Sequence, residues 1–202
     1  MNLPNKITLA RICMIPIFVI VFFLDGILPF AHGIAGLLFA LAACTDFVDG
    51  HIARSRGLVT NLGKFLDPIA DKVLVSTAML LILTMKESVF VHLGEWVYVV
   101  TTVCICLIMA RELIISAFRQ IVASNGVIMA ADKLGKLKTI FQDIAIFGIL
   151  FFAGITNLFE TWMTWHTYLM VFALVIFGVA TVLTIWSGIA YVVNNKQVLK
   201  DA

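Results

Sequence analysis

The stretch Thr161–Asn195, TWMTWHTYLMVFALVIFGVATVLTIWSGIAYVVNN, contains no Asp, Glu, Lys or Arg. A helix needs about 20 mostly apolar residues to cross a hydrocarbon core, so this run reads as a membrane span and decides the fold class. Further uncharged runs lie at Ile12–Leu24, Gly26–Thr45, Val73–Met85, Trp96–Ala110 and Ile144–Phe159. Several must recruit flanking charged residues to reach spanning length. Together they predict six helices at roughly 7–24, 33–54, 64–86, 95–120, 137–157 and 166–192. The composition agrees: 62% of the 202 residues are hydrophobic and 13% charged, against about 25% charged in a soluble domain. We expect an all-α integral membrane protein, a single domain over 1–202 with six transmembrane helices. A short N-terminal interfacial helix is expected over Pro4–Arg11, which is amphipathic, with Asn2 as its cap and Pro4 in its first turn. The net charge of +2 argues for no nucleic acid as partner.

The charges orient this bundle. Thirteen of the 14 Lys and Arg fall on one side: Lys6, Arg11, Arg54, Arg56, Lys64, Lys72, Arg111, Arg119, Lys133, Lys136, Lys138, Lys196 and Lys200. Lys86 falls on the other, with Asp25, Glu87, Glu95 and Glu160. The positive-inside rule places the basic side and both termini in the cytoplasm. Lys6 and Arg11 before an apolar run imitate a signal peptide, but no A-x-A-like cleavage site follows, so the run reads as a retained helix. Cys13, Cys44, Cys104 and Cys106 lie in apolar stretches without zinc-ligand spacing and read as inert packing thiols. His32, His92 and His166 read as interfacial residues on the far side. Trp96, Trp162, Trp165, Tyr98 and Tyr168 read as an aromatic belt there.

The chemistry sits in Asp46-Phe-Val-Asp49-Gly50-His-Ile-Ala53-Arg54 and, eight residues later, Gly63-Lys-Phe-Leu-Asp67-Pro-Ile-Ala-Asp71. Asp46 and Asp49 share a helix face at i,i+3, and Gly63, Asp67 and Asp71 share another at i,i+4. A short loop makes the two helices antiparallel neighbours, so four carboxylates converge near the cytoplasmic end. An acid deep in a span costs about 3 kcal/mol on insertion scales, and four together repel one another. Hard divalent cations, which take carboxylate oxygens, resolve that conflict. The small residues Gly50, Ala53 and Gly63 leave room for a ligand near the backbone, and equally for close helix packing.

The pattern D-x2-D-G-x2-A-R-x8-G-x3-D-x3-D resembles the signature of the CDP-alcohol phosphatidyltransferases, with every fixed position present. The resemblance implies two divalent cations, Mg2+ or Mn2+, held by Asp46, Asp49, Asp67 and Asp71. It implies that Asp71 is also the general base. It assigns Gly50, Ala53, Arg54 and Gly63, with Asn5 and Thr8 of the N-terminal Pro4-Asn5-x-x-Thr8-x-x-Arg11, to the CDP-lipid. It further implies a homodimer.

A second region supplies cations: Ala110-Arg111-Glu112, Arg119 and Lys136-Leu-Lys138-Thr139. Arg111, flanked by apolar residues, points to a phosphate or carboxylate partner, although a local ion pair with Glu112 also fits. For Lys136 and Lys138, positive-inside topology is the rival reading. Arg111, Arg119, Lys136, Lys138 and Thr139 are expected to cradle the phosphate of the acceptor. Asp143 is a minor candidate. These features resemble bacterial family members that use glycerol 3-phosphate. The expected reaction transfers the phosphatidyl group of CDP-diacylglycerol to that acceptor, releasing CMP on the cytoplasmic side of a bacterial membrane. Rival readings are the same chemistry with phosphatidylglycerol or inositol phosphate, and a cation transporter, which would carry its acids nearer the midplane.

Overall fold

The computed structural model describes residues 3–55, 61–124, 133–158 and 164–194; side chains of 46–55 and 119–124, and of several helix-end residues, lie outside that description. The order is α1 Leu3–Phe22, α2 Ala31–Ser55, α3 Asn61–Thr84, a π-helical turn Lys86–Phe90, α4 Val91–Leu93, α5 Glu95–Ser124, α6 Lys133–Leu158 and α7 Thr164–Asn194. Six long helices therefore stand where the apolar runs place them. Four contain stretches long and apolar enough to span a membrane: Asn5–Phe22, Glu95–Phe118, Gly135–Thr156 and Trp165–Val193. A fifth span is available if Leu66–Thr84 and Lys86–Leu93 act as one bent element. The apolar part of α2 is shorter, Ala31–Thr45, because Asp46 and Asp49 follow on the same helix.

The first helix departs from expectation. It runs unbroken through Leu3–Phe22, and no separate interfacial helix forms. Of the polar side chains in its first turns, Asn5, Thr8 and Arg11 point inward and Lys6 is exposed. Asn5, Thr8, Arg11, Ile15, Phe18 and Phe22 are all buried, and their spacing of three or four residues makes them one stripe. The apolar end of the stripe packs on α2, with the Phe18 and Phe39 rings 6.3 Å apart. The polar end is buried because α2 and α3 offer it polar partners.

A bend of 52° separates α3 from Lys86–Leu93. The amides of Val89 and Phe90 both bond the carbonyl of Met85, at 2.9 and 3.3 Å. That widened turn is a recognised cause of kinks. Val89 and Phe90 are buried, which holds the segment against the bundle after the charges of Lys86 and Glu87 have ended the apolar run. Gly94 then reverses the chain at φ +98°, a conformation other residues rarely adopt.

Gly154 of α6 packs directly against the backbone of Gly33 in α2. A Cβ on Gly154 would lie 2.2 Å from the Gly33 nitrogen, so position 154 must lack a side chain, whereas one on Gly33 would meet the Phe30 ring. Outside the core, large apolar side chains such as Val100, Leu113, Phe172, Val182 and Trp186 are more than half exposed. In water this would be an aggregating surface; in a bilayer it is the lipid-facing one. Trp96 and Tyr168, 82% and 70% exposed, suit the expected belt. His32 and His166, near the starts of α2 and α7, are buried, His32 with its Nδ1 3.4 Å from Asp25 Oδ1. Cys13, Cys44 and Cys106 are exposed rather than packed, and Cys104 is half-buried.

Candidate active site

The acidic motif is carried by the ends of α2 and α3. Asp46, Asp49, Gly50, Ala53 and Arg54 lie within α2, and their side chains fall outside the described residues. On α3, Gly63 is buried, and Asp67 and Asp71 are half-buried. Pro68 stands between them within the helix. Lacking an N–H, it cannot bond the carbonyl four residues back.

The first helix supports this wall. Thr8 donates a hydrogen bond from Oγ1 to Asp67 Oδ1 at 2.7 Å. Arg11, 1% exposed, donates from Nε to Thr45 Oγ1 at 3.3 Å, and Thr45 donates to the Ala42 carbonyl. Thr45 immediately precedes Asp46. Thr8 and Arg11 thus tie α1 to both motif-bearing helices. Asn5 is buried on the same stripe.

The cations gather around one carboxylate. Glu112 Oε1 accepts from Arg111, at 3.2 Å, and from Lys138 of α6. Arg111 also donates to Ser187 Oγ of α7 at 2.8 Å and lies over Gly188, where a Cβ would stand 3.0 Å from its Nε. Lys138 is 4% exposed. A cation that buried needs an anionic partner, and Glu112 supplies it. Lys136 and Thr139 are exposed, and Thr139 donates back to the Lys136 carbonyl, so they stand outside the ion-pair cluster. The Arg119 side chain lies outside the described residues.

Asp71 of the acidic motif and Glu112 at the centre of the cation cluster open on the same space. A cavity of about 70 Å³ lies between α3, α5 and α6. Asp71 and Lys72 line it from α3, Glu112 from α5, and Thr139, Gln142 and Asp143 from α6, over apolar walls that include Val75 and Met79. Lys72 reaches across to donate to Ser116 Oγ, and Ser116 donates to the Glu112 carbonyl. The residues that sequence reasoning passed over are Lys72, Ser116, Gln142, Thr45, Ser187 and Gly188, and Glu112 as the centre of the cluster. The signal for Glu112 was available: an acid within a span marks a functional site by default.

Among the described residues no three His, Cys, Asp or Glu form a metal-binding group. Asp67 and Asp71 are two of the four carboxylates in the motif, and an all-oxygen donor set suits a hard divalent cation.

Comparison with known proteins fits these features. The family model "CDP-alcohol phosphatidyltransferase" matches residues 1–193. A Bacillus subtilis (strain 168) protein is 38% identical over 211 residues, covering 100% of this chain and 98% of its own length. A Rickettsia bellii protein is 35% identical, covering 94% and 93%. A Salmonella paratyphi A protein is 36% identical, covering 99% and 98%. All three bear the name CDP-diacylglycerol–glycerol-3-phosphate 3-phosphatidyltransferase. A match over nearly the whole chain, carried by a membrane-type helical bundle with the acidic motif on adjacent helices, means that this transferase belongs to the CDP-alcohol phosphatidyltransferase family.

Proposed function

We propose that the enzyme transfers the phosphatidyl group of CDP-diacylglycerol to sn-glycerol 3-phosphate, giving phosphatidylglycerol phosphate and CMP. The observation that carries this reading is the shared cavity: Asp71 lines the same small space as Glu112, the carboxylate that gathers Arg111 and Lys138. A base and a phosphate-binding cluster side by side suit an acceptor that carries both a hydroxyl and a phosphate. The names of the relatives agree with that choice.

In this reading Asp71 takes the proton of the acceptor's primary hydroxyl. The freed oxygen attacks the phosphorus next to the diacylglycerol, and the bond to CMP breaks. Phosphoryl transfer asks mainly for alignment and charge neutralisation. Arg111 and Lys138 bind the acceptor phosphate, and Glu112 keeps the two cations together before it arrives. Gly50, Ala53, Arg54, Gly63 and Asn5 take the CDP-lipid. Thr8, placed by sequence reasoning on the lipid, is bonded to Asp67 and acts through that carboxylate. Thr139 lines the shared cavity, and Arg119 and Lys136 are further candidates for the acceptor phosphate. Asp46, Asp49, Asp67 and Asp71 would hold two divalent cations, Mg2+ or Mn2+. When bound, such ions neutralise the diphosphate and stabilise the leaving group. The charge asymmetry supports a cytoplasmic active site.

The test supplies purified enzyme with CDP-diacylglycerol, Mg2+ and a panel of acceptors, and identifies the lipid formed. CMP release with phosphatidylglycerol phosphate as product is expected. Transfer to inositol phosphate or phosphatidylglycerol instead would overturn the acceptor and leave the chemistry standing. Absence of CMP release with every acceptor would overturn the reaction.

A further inference from the structure

Gln142 is 3% exposed, and its amide oxygen, fully removed from solvent, has no hydrogen-bond partner among the described residues. Buried polar atoms are almost always paired, so an orphaned acceptor at the wall of a cavity marks a place where a donor belongs. Gln142 lines the cavity with Asp71 and Asp143. It stands on α6 one turn beyond Lys138, and residues at i and i+4 share a face, roughly 6 Å apart along the axis. A three-carbon phosphate is about as long as that rise. An acceptor whose phosphate pairs with Lys138 would place its carbon chain at the level of Gln142, on the cavity that Asp71 also lines.

Resting on the function proposed above, we infer that Gln142 reads the secondary hydroxyl of the acceptor. Its Oε1 accepts the hydrogen bond of that hydroxyl, which makes the enzyme selective for a phosphorylated vicinal diol over a phosphorylated simple alcohol. Nothing in this assignment requires Gln142 to take part in the transfer. It is a specificity-determining residue, and the proton taken by Asp71 comes from the neighbouring primary hydroxyl. A site built around a substrate hydroxyl rejects the analogue without it, because the protein's own polar group is then left unpaired.

The experiment compares two acceptors on the same enzyme preparation. One is sn-glycerol 3-phosphate. The other is 3-hydroxypropyl phosphate, which keeps the primary hydroxyl and the phosphate and lacks the secondary hydroxyl. The ratio of their kcat/KM values does not depend on the amount of folded protein. The wild type is expected to prefer glycerol 3-phosphate by roughly tenfold to a hundredfold. Gln142→Met, similar in volume but without the acceptor oxygen, should bring the ratio close to one. Gln142→Glu, which keeps an acceptor oxygen, should retain a preference. An unchanged ratio in Gln142→Met, or no preference in the wild type, overturns the assignment and leaves the proposed function intact. Loss of turnover on both acceptors in both variants also overturns it, since a reader of one hydroxyl is not required for transfer itself. A wild type that uses neither phosphate but a different acceptor overturns the proposed function, and this inference with it.

Discussion

Thr8 Oγ1 lies 2.7 Å from Asp67 Oδ1 and donates a hydrogen bond to it, so a residue near the start of the chain orients a carboxylate of the acidic motif 59 positions later. This one-directional bond constrains Asp67 without adding charge. Partners behind a metal ligand typically matter by about 10- to 100-fold in metal affinity or activity. Thr8→Val should raise the Mg2+ concentration for half-maximal activity by about that factor, and Thr8→Ser should restore it. Asp67→Asn should abolish CMP release at any Mg2+ concentration while the protein still folds. A Mg2+ titration of the purified variants checks both.

Glu112 is shared by two cations, and the consequences of breaking the cluster are unequal. Glu112→Gln removes a carboxylate that compensates both Arg111 and the buried Lys138. Lys138→Met leaves Glu112 still paired with Arg111. Losing one partner of a fully buried pair costs about 3–5 kcal/mol. The Glu112 side chain keeps 26% of its exposure, so roughly 1–3 kcal/mol is expected here. Thermal unfolding in detergent should place Glu112→Gln below Lys138→Met.

The acceptor phosphate should feel Arg111 and Lys138 in KM. A charge-assisted hydrogen bond contributes roughly 1.5–3 kcal/mol, or about tenfold to a hundredfold in affinity. Arg111→Ala should therefore raise KM for glycerol 3-phosphate by about that factor and leave KM for CDP-diacylglycerol nearly unchanged. Gly188→Val should act in the same direction more weakly, because added atoms there press on the Arg111 side chain. Initial-rate kinetics with each substrate varied in turn would reveal a different role if both KM values moved together.

The crossing of α2 and α6 predicts a sharp contrast between glycines. In Gly154→Ala the new Cβ would meet the backbone of Gly33 at 2.2 and 2.6 Å, so the helices must separate. Overpacking of this kind costs about 1–3 kcal/mol. Gly178→Ala, with nothing within 4 Å, should be neutral or slightly stabilising. Melting temperatures of the two variants measure the difference.

Sidedness is testable at two exposed positions. In a variant lacking the native cysteines, Lys6→Cys should react with an impermeant maleimide only in inside-out vesicles. Glu95→Cys should react only in intact cells. The reverse pattern would place the active site outside.

The positions of the six long helices were legible because apolar run length is a local property of the chain. That Asp46 and Asp49 share a face of one helix, and Asp67 and Asp71 a face of the next, was legible for a similar reason: i,i+3 and i,i+4 spacing fixes a shared helix face without reference to the rest of the fold. The N-terminal segment misled. Asn5, Thr8 and Arg11 look like the polar face of a surface helix until α2 and α3 are placed beside them. The turn at Lys86–Phe90 was hidden by its own charges.

The sequence by itself determined that this is a membrane-embedded helical protein with paired acids on successive helices. These follow from hydropathy, helical periodicity and charge count, none of which needs a second helix in view. Only the tertiary structure decided that Thr8 bonds Asp67, that Glu112 gathers Arg111 and Lys138, that Arg111 rests on Ser187 and Gly188, and that Gln142 and Asp71 line one cavity. Those pairings depend on which helices are neighbours and how each is rotated about its axis. Periodicity says which residues share a face of one helix, but the packing of all the helices together selects the face that meets another.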